Sequence, residues 1–122
     1  MHAANGHFQA RRYTAALSDY ERAVALIDEL LTGSRPCAGL VMAKIVSHHN
    51  RANALVCVER FSDADADFEA AWAFARAVAD DAHLSVGLRE AARRHCAVCY
   101  NEWQDFRTRR ASSTQLDRVV VH

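Results

Sequence analysis

The sequence predicts an all-α fold, and three observations support that prediction. Of the 122 residues, 51% are hydrophobic and 25% are charged, so one domain can bury a core without disulfides or metal. Four Gly and one Pro provide fewer turn residues than an all-β domain needs. Ala and Arg, which are both good helix formers, recur along the whole chain. We therefore expect helices joined by short turns.

The best-defined helix is predicted over residues 14–31, where one stripe of apolar side chains recurs at helical spacing. The stripe consists of Ala16, Leu17, Tyr20, Ala23, Val24, Ile27 and Leu31. Gly33, Ser34 and Pro36 then interrupt the pattern. After this break, a second helix is predicted over residues 38–58, which contain few turn formers.

Ser62 is predicted to cap a third helix, with Asp65 as its partner in a capping box, and this helix should continue to about residue 80. Two more helices are predicted over 84–100 and from residue 104 onward, and a short helix over 3–11 precedes the others. Together they make about six helices, which is the number for three antiparallel hairpins. The corresponding repeats span about 3–33, 38–80 and 84–118.

The charges are balanced overall but unevenly placed. Lys and Arg total 15 against 15 Asp and Glu, so no global field favours nucleic acid or an anionic membrane. Residues 59–81 hold seven acidic and two basic side chains, whereas residues 87–122 hold seven Arg and four acids. No segment approaches the ~20 apolar residues of a membrane span. Without a secretory leader or a disulfide spacing, a cytoplasmic location is expected.

Two segments of the chain superpose as an internal repeat. Residues 5–26 align with residues 53–74, and the alignment pairs Tyr13 with Phe61, Ala16 with Ala64, Tyr20 with Phe68, and Ala23 with Ala71. Alanine allows the backbones of two helices to approach closely, and the aromatic rings fill the adjoining grooves. A third unit reaches Phe106 and then departs from the pattern, because Arg109 and Ser113 replace the small and aromatic residues.

This order of aromatic and small residues resembles the tetratricopeptide repeat over residues 3–32 and 48–76. The resemblance implies a right-handed α-α superhelix of about three hairpins, whose concave wall binds a peptide or a partner protein. The aligned aromatic residues are 48 and 45 positions apart, compared with about 34 in the ordinary repeat. We therefore expect lengthened helices where one hairpin joins the next.

Four residues resemble the carboxylate clamp of co-chaperones that bind the C-terminal tail of heat-shock chaperones. Asn5 falls on the first-helix Asn of that clamp, and Asn50 begins an N-R-A segment like the one that carries its third-helix Asn. Arg89 and Arg93, four apart, match its basic pair, whereas Met1 stands where the clamp has Lys. Amides and guanidinium groups suit this task because they donate charge-assisted hydrogen bonds to a terminal carboxylate.

Two other interpretations remain open. The longer period also resembles the extended repeats of kinesin light chains, which bind peptides through a different groove chemistry. Alternatively, the domain serves as an assembly surface, with self-association through the apolar segment 116–121. The chain is expected to form a single domain over 1–122 and to be part of a longer protein. Helix formers begin at Ala3 without a preceding cap, and the third repeat fades.

Cysteine and histidine do not form a recognisable metal motif. The segment 95–99 reads H-C-x-x-C, but a structural zinc site usually combines two such ligand pairs. Cys37 and Cys57 form no second pair, and both Cys57 and Cys99 fall at positions predicted to pack in the core. We therefore predict core cysteines and no metal.

Asp63, Asp65 and Asp67 imitate the start of a calcium-binding loop. Phe68 occupies the position of its obligatory Gly, and Phe74 that of its bidentate Glu, so the loop cannot form. Acidic residues at a helix start explain the pattern better. No phosphate-binding loop or nucleophile motif is found either, so we predict a non-enzymatic protein without a cofactor.

Overall fold

The protein consists of four α-helices within the described part of the chain. A computed structural model describes the backbone of residues 2–33 and 37–121 and the side chains of residues 12–33 and 37–113. Its helices are α1 (His2–Gly33), α2 (Ala38–Cys57), α3 (Phe61–Asp80) and α4 (Val86–Val121). Successive helices run antiparallel. The all-α prediction is confirmed.

Four helices replace the six that were predicted, because two expected breaks are absent. The predicted helices 3–11 and 14–31 are continuous in α1, and the predicted helices before and after residue 102 are continuous in α4. Neither junction contains a Gly or Pro that would interrupt the ladder of backbone hydrogen bonds. The repeat pattern identified which face of each helix is buried. It did not identify where the helices end, which depends on residues that interrupt the backbone hydrogen bonds.

The turn between α2 and α3 has the hydrogen bonds of a Schellman motif. The Arg60 amide donates to the Leu55 carbonyl at 2.9 Å, and the Glu59 amide donates to the Val56 carbonyl at 3.1 Å. Glu59 has a φ of 62°, a left-handed conformation that usually selects Gly. The prediction that Ser62 caps α3 was wrong. Arg60 is the N-cap residue, and its carbonyl accepts the first helical bond from Ala64.

Small residues on α3 allow the helices to pack closely. Ala64, Ala71 and Ala75 are each 0% exposed, and Phe68 is buried between two of them in the chain. This explains the aromatic and small pattern of the second repeat, because its alanines lie where neighbouring helices approach. In the first repeat, Tyr13 is exposed, whereas its counterpart Phe61 is half-buried.

The helices pack in chain order. α2 contacts α1 on one side and α3 on another, α3 contacts α4, and α2 also touches α4. Among the described residues, the backbone of α1 comes close to neither α3 nor α4. α2 is therefore an inner helix with one face left uncovered between α1 and α4. No helix in the described ranges combines the length and apolar character needed to cross a bilayer.

Candidate functional site

The uncovered face of α2 forms the floor of an open groove. Val46, Asn50, Asn53 and Cys57 are all solvent-exposed and recur at a spacing of three or four residues, so they share one helix face. We call this surface the α2 groove. Its two walls are α1 and α4, because α3 lies on the opposite side of α2.

Two α2 residues that flank the exposed stripe show where the two walls of the groove lie. His49 lies against Glu102 and thereby touches α4. Ala54 lies on the other side and lines a cavity together with Tyr13 and Tyr20 of α1. The exposed stripe lies between these two contacts, so a ligand on the floor meets both walls.

His48, Arg51 and Asp67 fix the rotation of α2 against α3. We call these three side chains the lock between α2 and α3. Asp67 is 5% exposed and accepts two hydrogen bonds from Arg51, from Nε and from a terminal nitrogen, each at 2.6 Å. His48 Nδ1 lies 3.0 Å from the same carboxylate. Because His48 and Arg51 are held on α3, the side of α2 that carries Asn50 and Asn53 is turned toward the groove.

The charges in this lock reinforce one another. Burial alone would raise the pKa of Asp67, but hydrogen bonds from His48 and Arg51 outweigh burial and hold the pKa below its ordinary value. The hydrogen bond to Asp67 likewise raises the pKa of Arg51. The carboxylate and the guanidinium are therefore both ionised at neutral pH.

The groove has a first lobe between α1 and α2, with a volume of about 310 Å³. Its polar lining comes from Arg12, Tyr13 and Tyr20 of α1, and from Asn50, Asn53 and Cys57 of α2. A hydrogen bond with the Cys57 thiol raises the pKa of Tyr13 above its ordinary value. The lobe thus combines two amides, two phenols and one guanidinium.

A second lobe of about 550 Å³ lies between the end of α2, the start of α3 and the second half of α4. Its floor is aromatic: the rings of Phe68 and Phe106 are 5.1 Å apart, and the Arg110 guanidinium lies 3.6 Å from the centre of the Phe61 ring. Its rim carries charges of both signs from Glu102, Asp105 and Arg109. Asn53 lines both lobes and joins them into one surface.

The four residues expected to form a carboxylate clamp lie in different places. Asn50 lines the first lobe, as described. Arg89 is half-buried, and its Nε donates to the Ala79 carbonyl at 3.2 Å. Arg93 lines a separate pocket between α3 and α4. Asn5 belongs to α1, but its side chain lies outside the described residues.

Register explains why the two arginines do not reach Asn50. Glu102 marks the level of Asn50, because it contacts the adjacent His49. Along α4, Arg93 lies about 14 Å and Arg89 about 20 Å from that level, at 1.5 Å per residue. Among the described residues, the arginines that line the α2 groove are instead Arg12, Arg109 and Arg110.

Sequence reasoning missed Asn53, Arg12 and Arg109 as groove residues. Arg109 carried a signal, since it interrupted the repeat at the position of a small residue. Asn53 has the same spacing from Asn50 as other residues of one helix face, but the face became identifiable only once the rotation of α2 was known. For Arg12 we find no signal in the sequence.

The aspartates at the start of α3 are each engaged by a different partner. Asp63 pairs with Arg60 at 2.8 Å, and Asp65 accepts a hydrogen bond from Trp103 Nε1 at 2.8 Å. Asp67 belongs to the lock with α2. Their carboxylates therefore do not converge, and no group of three or more metal-ligating side chains occurs among the described residues.

The cysteines occupy separate environments. Cys99 is buried, as predicted, and burial raises its pKa to about 11. The prediction that Cys57 packs in the core was wrong, because Cys57 is exposed in the first lobe. The error follows from the rotation of α2, which turns the Cys57 face toward the groove rather than toward α3.

The fold and the site define an all-α protein of sequentially packed antiparallel helices with an open groove along its second helix. The chain belongs to the family described as "Protein of unknown function (DUF2753)", whose model matches residues 1–122. Comparison with curated proteins gave no match, and comparison with solved structures gave none either.

Proposed function

We propose that this chain is a protein-binding module that holds an extended peptide in the α2 groove. The observation that supports it most directly is the pair of exposed amides, Asn50 and Asn53, at the junction of the two lobes. An amide side chain presents both a donor and an acceptor, which matches the peptide unit of an extended chain. An apolar side chain of the peptide would enter the aromatic second lobe.

The dimensions of the groove suit a short segment. From Val46 to Cys57 the floor is about 17 Å long at 1.5 Å per residue. An extended chain advances about 3.3 Å per residue, so the floor accommodates about five residues. This length agrees with recognition of a short linear motif or a chain terminus.

We infer that α2 and α3 form a hairpin of the tetratricopeptide type. The buried alanines of α3 occupy the positions at which that repeat brings helices together, and Phe68 lies between them in the core. α1 and α4 then supply the flanking helices of the preceding and following hairpins, drawn out as long continuous helices. In this arrangement α2 and α4 form the concave surface of the superhelix, and the α2 groove lies on that surface.

The preferred ligand is an acidic peptide with a free C-terminus, such as the tail of a heat-shock chaperone. Arg12 and Arg109 line the two lobes at the Cys57 end of the groove, on opposite walls. Arg109 also pairs with Asp105 at 3.5 Å, but both side chains are highly exposed, so this pair costs little to exchange. A terminal carboxylate would lie between the arginines, with the peptide running toward Val46.

Fluorescence anisotropy with labelled peptides tests the proposal. Peptides ending in Glu-Glu-Val-Asp are compared with the same peptides carrying an amidated terminus. Asn50→Ala and Asn53→Ala should each weaken binding about tenfold, the effect of losing ~1.4 kcal/mol of hydrogen bonding. Asn101→Ala is the matched control, because Asn101 is an exposed amide on α4 outside the groove.

The outcomes separate the two ligand chemistries. Loss of binding on amidation supports the carboxylate site at Arg12 and Arg109. Equal binding of both peptides removes the chaperone tail and leaves an adaptor groove that reads the peptide backbone, as in the extended-repeat interpretation. If no peptide binds, or if Asn101→Ala weakens binding as much as Asn50→Ala, the groove is not the binding site.

A further inference from the structure

The two outer helices have uncovered faces of complementary character. α1 is packed only against α2, and α4 only against α3 and α2, within the described residues. Each outer helix therefore presents a long face to solvent. The face of α1 carries Leu26 and Leu30, which are 56% and 45% exposed. Ala15, Ser18 and Ala25 are exposed on α1 as well, and small residues such as these permit close helix approach.

The corresponding face of α4 combines aromatic, small and basic residues. Tyr100 is 46% exposed and lies beside Trp72 at a ring distance of 6.1 Å, at the edge of a pocket of about 440 Å³. Ala97 and Arg93 line the same pocket. Trp, Tyr and Arg are the residues most enriched at the energetic centres of protein interfaces.

The two outer helices also differ in charge. Residues 12–33 of α1 hold four acidic and two basic side chains, whereas residues 86–113 of α4 hold six Arg and three acids. Arg93 and Arg94 have no ion-pair partner among the described side chains, and neither lies in the α2 groove. Glu29 on α1 is also exposed.

Helix order and helix length agree with a pairing of these two faces. Alternate helices run in opposite directions, so α1 of another molecule placed against α4 continues the antiparallel order. Both outer helices also extend past the turn between α2 and α3. Tyr13 lies level with Cys57, and Arg110 lies level with Phe61. About 11 further residues of each outer helix, or ~16 Å, project beyond that level.

We propose that a second copy of this chain docks its α1 against α4, head to tail. With the two copies at the same level, Glu29 of one copy falls within about one helical turn of Arg93 and Arg94 of the other. Leu26 then faces the region of Ala97 and Tyr100, and the projecting ends of α1 and α4 pair along their length. Such an interface uses two different surfaces, so the assembly is open-ended rather than a closed symmetric dimer.

Sedimentation velocity over an approximately hundredfold concentration range is the first test. The full chain should show a weight-average sedimentation coefficient that rises with concentration, and less so at high salt. Leu26→Arg blocks the α1 face and Ala97→Glu blocks the α4 face, since each places a charge of the same sign as the facing surface at the contact. Each variant alone should remain monomeric, because one of the two required surfaces is missing. Both positions are exposed, and circular dichroism verifies that each variant folds.

Mixing the two variants is the decisive experiment. A head-to-tail interface predicts that an equimolar mixture gives a species of twice the monomer mass and nothing larger, because one intact α1 face meets one intact α4 face. A symmetric interface predicts no such rescue. Val46→Glu is the matched control: Val46 is 47% exposed but lies in the α2 groove, so assembly should match the wild type.

The proposal is overturned if the wild type stays monomeric throughout, if the mixture remains monomeric, or if Val46→Glu also prevents assembly. Peptide binding is read separately on the same variants. Leu26→Arg should leave it unchanged, whereas Val46→Glu should weaken it. Failure of the peptide assay therefore leaves the assembly result intact, and the reverse also holds.

Discussion

Replacing Asp67 by Asn is expected to destabilise the protein strongly, because it breaks the lock between α2 and α3. The substitution conserves volume but removes the charge that neutralises Arg51. The side chains of Asp67 and His48 are 7% and 9% exposed, so the site offers little room for compensating water. Arg51 is 23% exposed, so its guanidinium retains some solvent contact.

The magnitude follows from this burial. Removing one partner of a buried ion pair costs about 3–5 kcal/mol, and partial solvent access to Arg51 places the expected loss near 3 kcal/mol. A domain of this kind is stable by about 5–15 kcal/mol, so the loss is between about a fifth and three fifths of the total. The same substitution should also loosen the orientation of the groove floor.

Urea unfolding followed by far-ultraviolet circular dichroism measures the effect as a shift in midpoint at constant slope. Asp63→Asn is the matched control, since its pair with Arg60 is more than half exposed and should contribute less than about 1 kcal/mol. If Asp67→Asn lies within about 1 kcal/mol of the wild type, or if both variants lose the same amount, the lock does not stabilise the fold.

Three further predictions concern the turn between α2 and α3, the loss of stability at acid pH and the reactivity of the thiols. Glu59→Gly should raise the free energy of unfolding by about 1 kcal/mol in the same urea assay, because Glu59 has a left-handed φ; no gain would contradict a strained turn. Because the folded-state pKa of Asp67 is lowered, its contribution to stability is present above the unfolded pKa of about 3.9 and is lost as pH falls below it. Acid unfolding of Asp67→Asn should therefore show a flatter pH dependence over that window than the wild type, and parallel curves would exclude this linkage. With a thiol-reactive dye, exposed Cys57 should react rapidly and buried Cys99, whose pKa is about 11, only on unfolding; mass spectrometry of the labelled peptides identifies the site, and early labelling of Cys99 would argue against its burial.

The fold class and the break between α1 and α2 were predictable from the sequence because their signals are local. Gly33 and Pro36 mark the end of one helix, and the apolar stripe of 14–31 identifies its buried side. The joining of two predicted helices into α1 was not anticipated, since the repeat pattern argued for a hairpin where the backbone had no residue to stop it. Periodicity indicates which face is buried but not whether a helix ends.

The sequence could place only some of the residues that line the groove, because local spacing does not determine how a helix is rotated. Asn50 was identified from a short motif on the correct helix, and the structure places it in the groove. Arg89 and Arg93 were chosen because residues four apart share a helix face. Which neighbour that face meets depends on the rotation of α4, which is set by the burial of Cys99 and Trp103 and by the contact between Glu102 and His49. The rotation of α4 thus depends on tertiary contacts, which the spacing of residues along the sequence does not reveal.

The lock between α2 and α3 also separates two tasks on a single helix. One side of α2 carries the residues that fix its rotation against α3, and the other side carries four exposed residues that take no part in this lock. Val46, Asn50, Asn53 and Cys57 are therefore expected to tolerate randomisation without loss of folding. A library restricted to these four positions would convert the chain into a scaffold from which binders for new peptide sequences are selected, while Asp67 and its partners are kept constant.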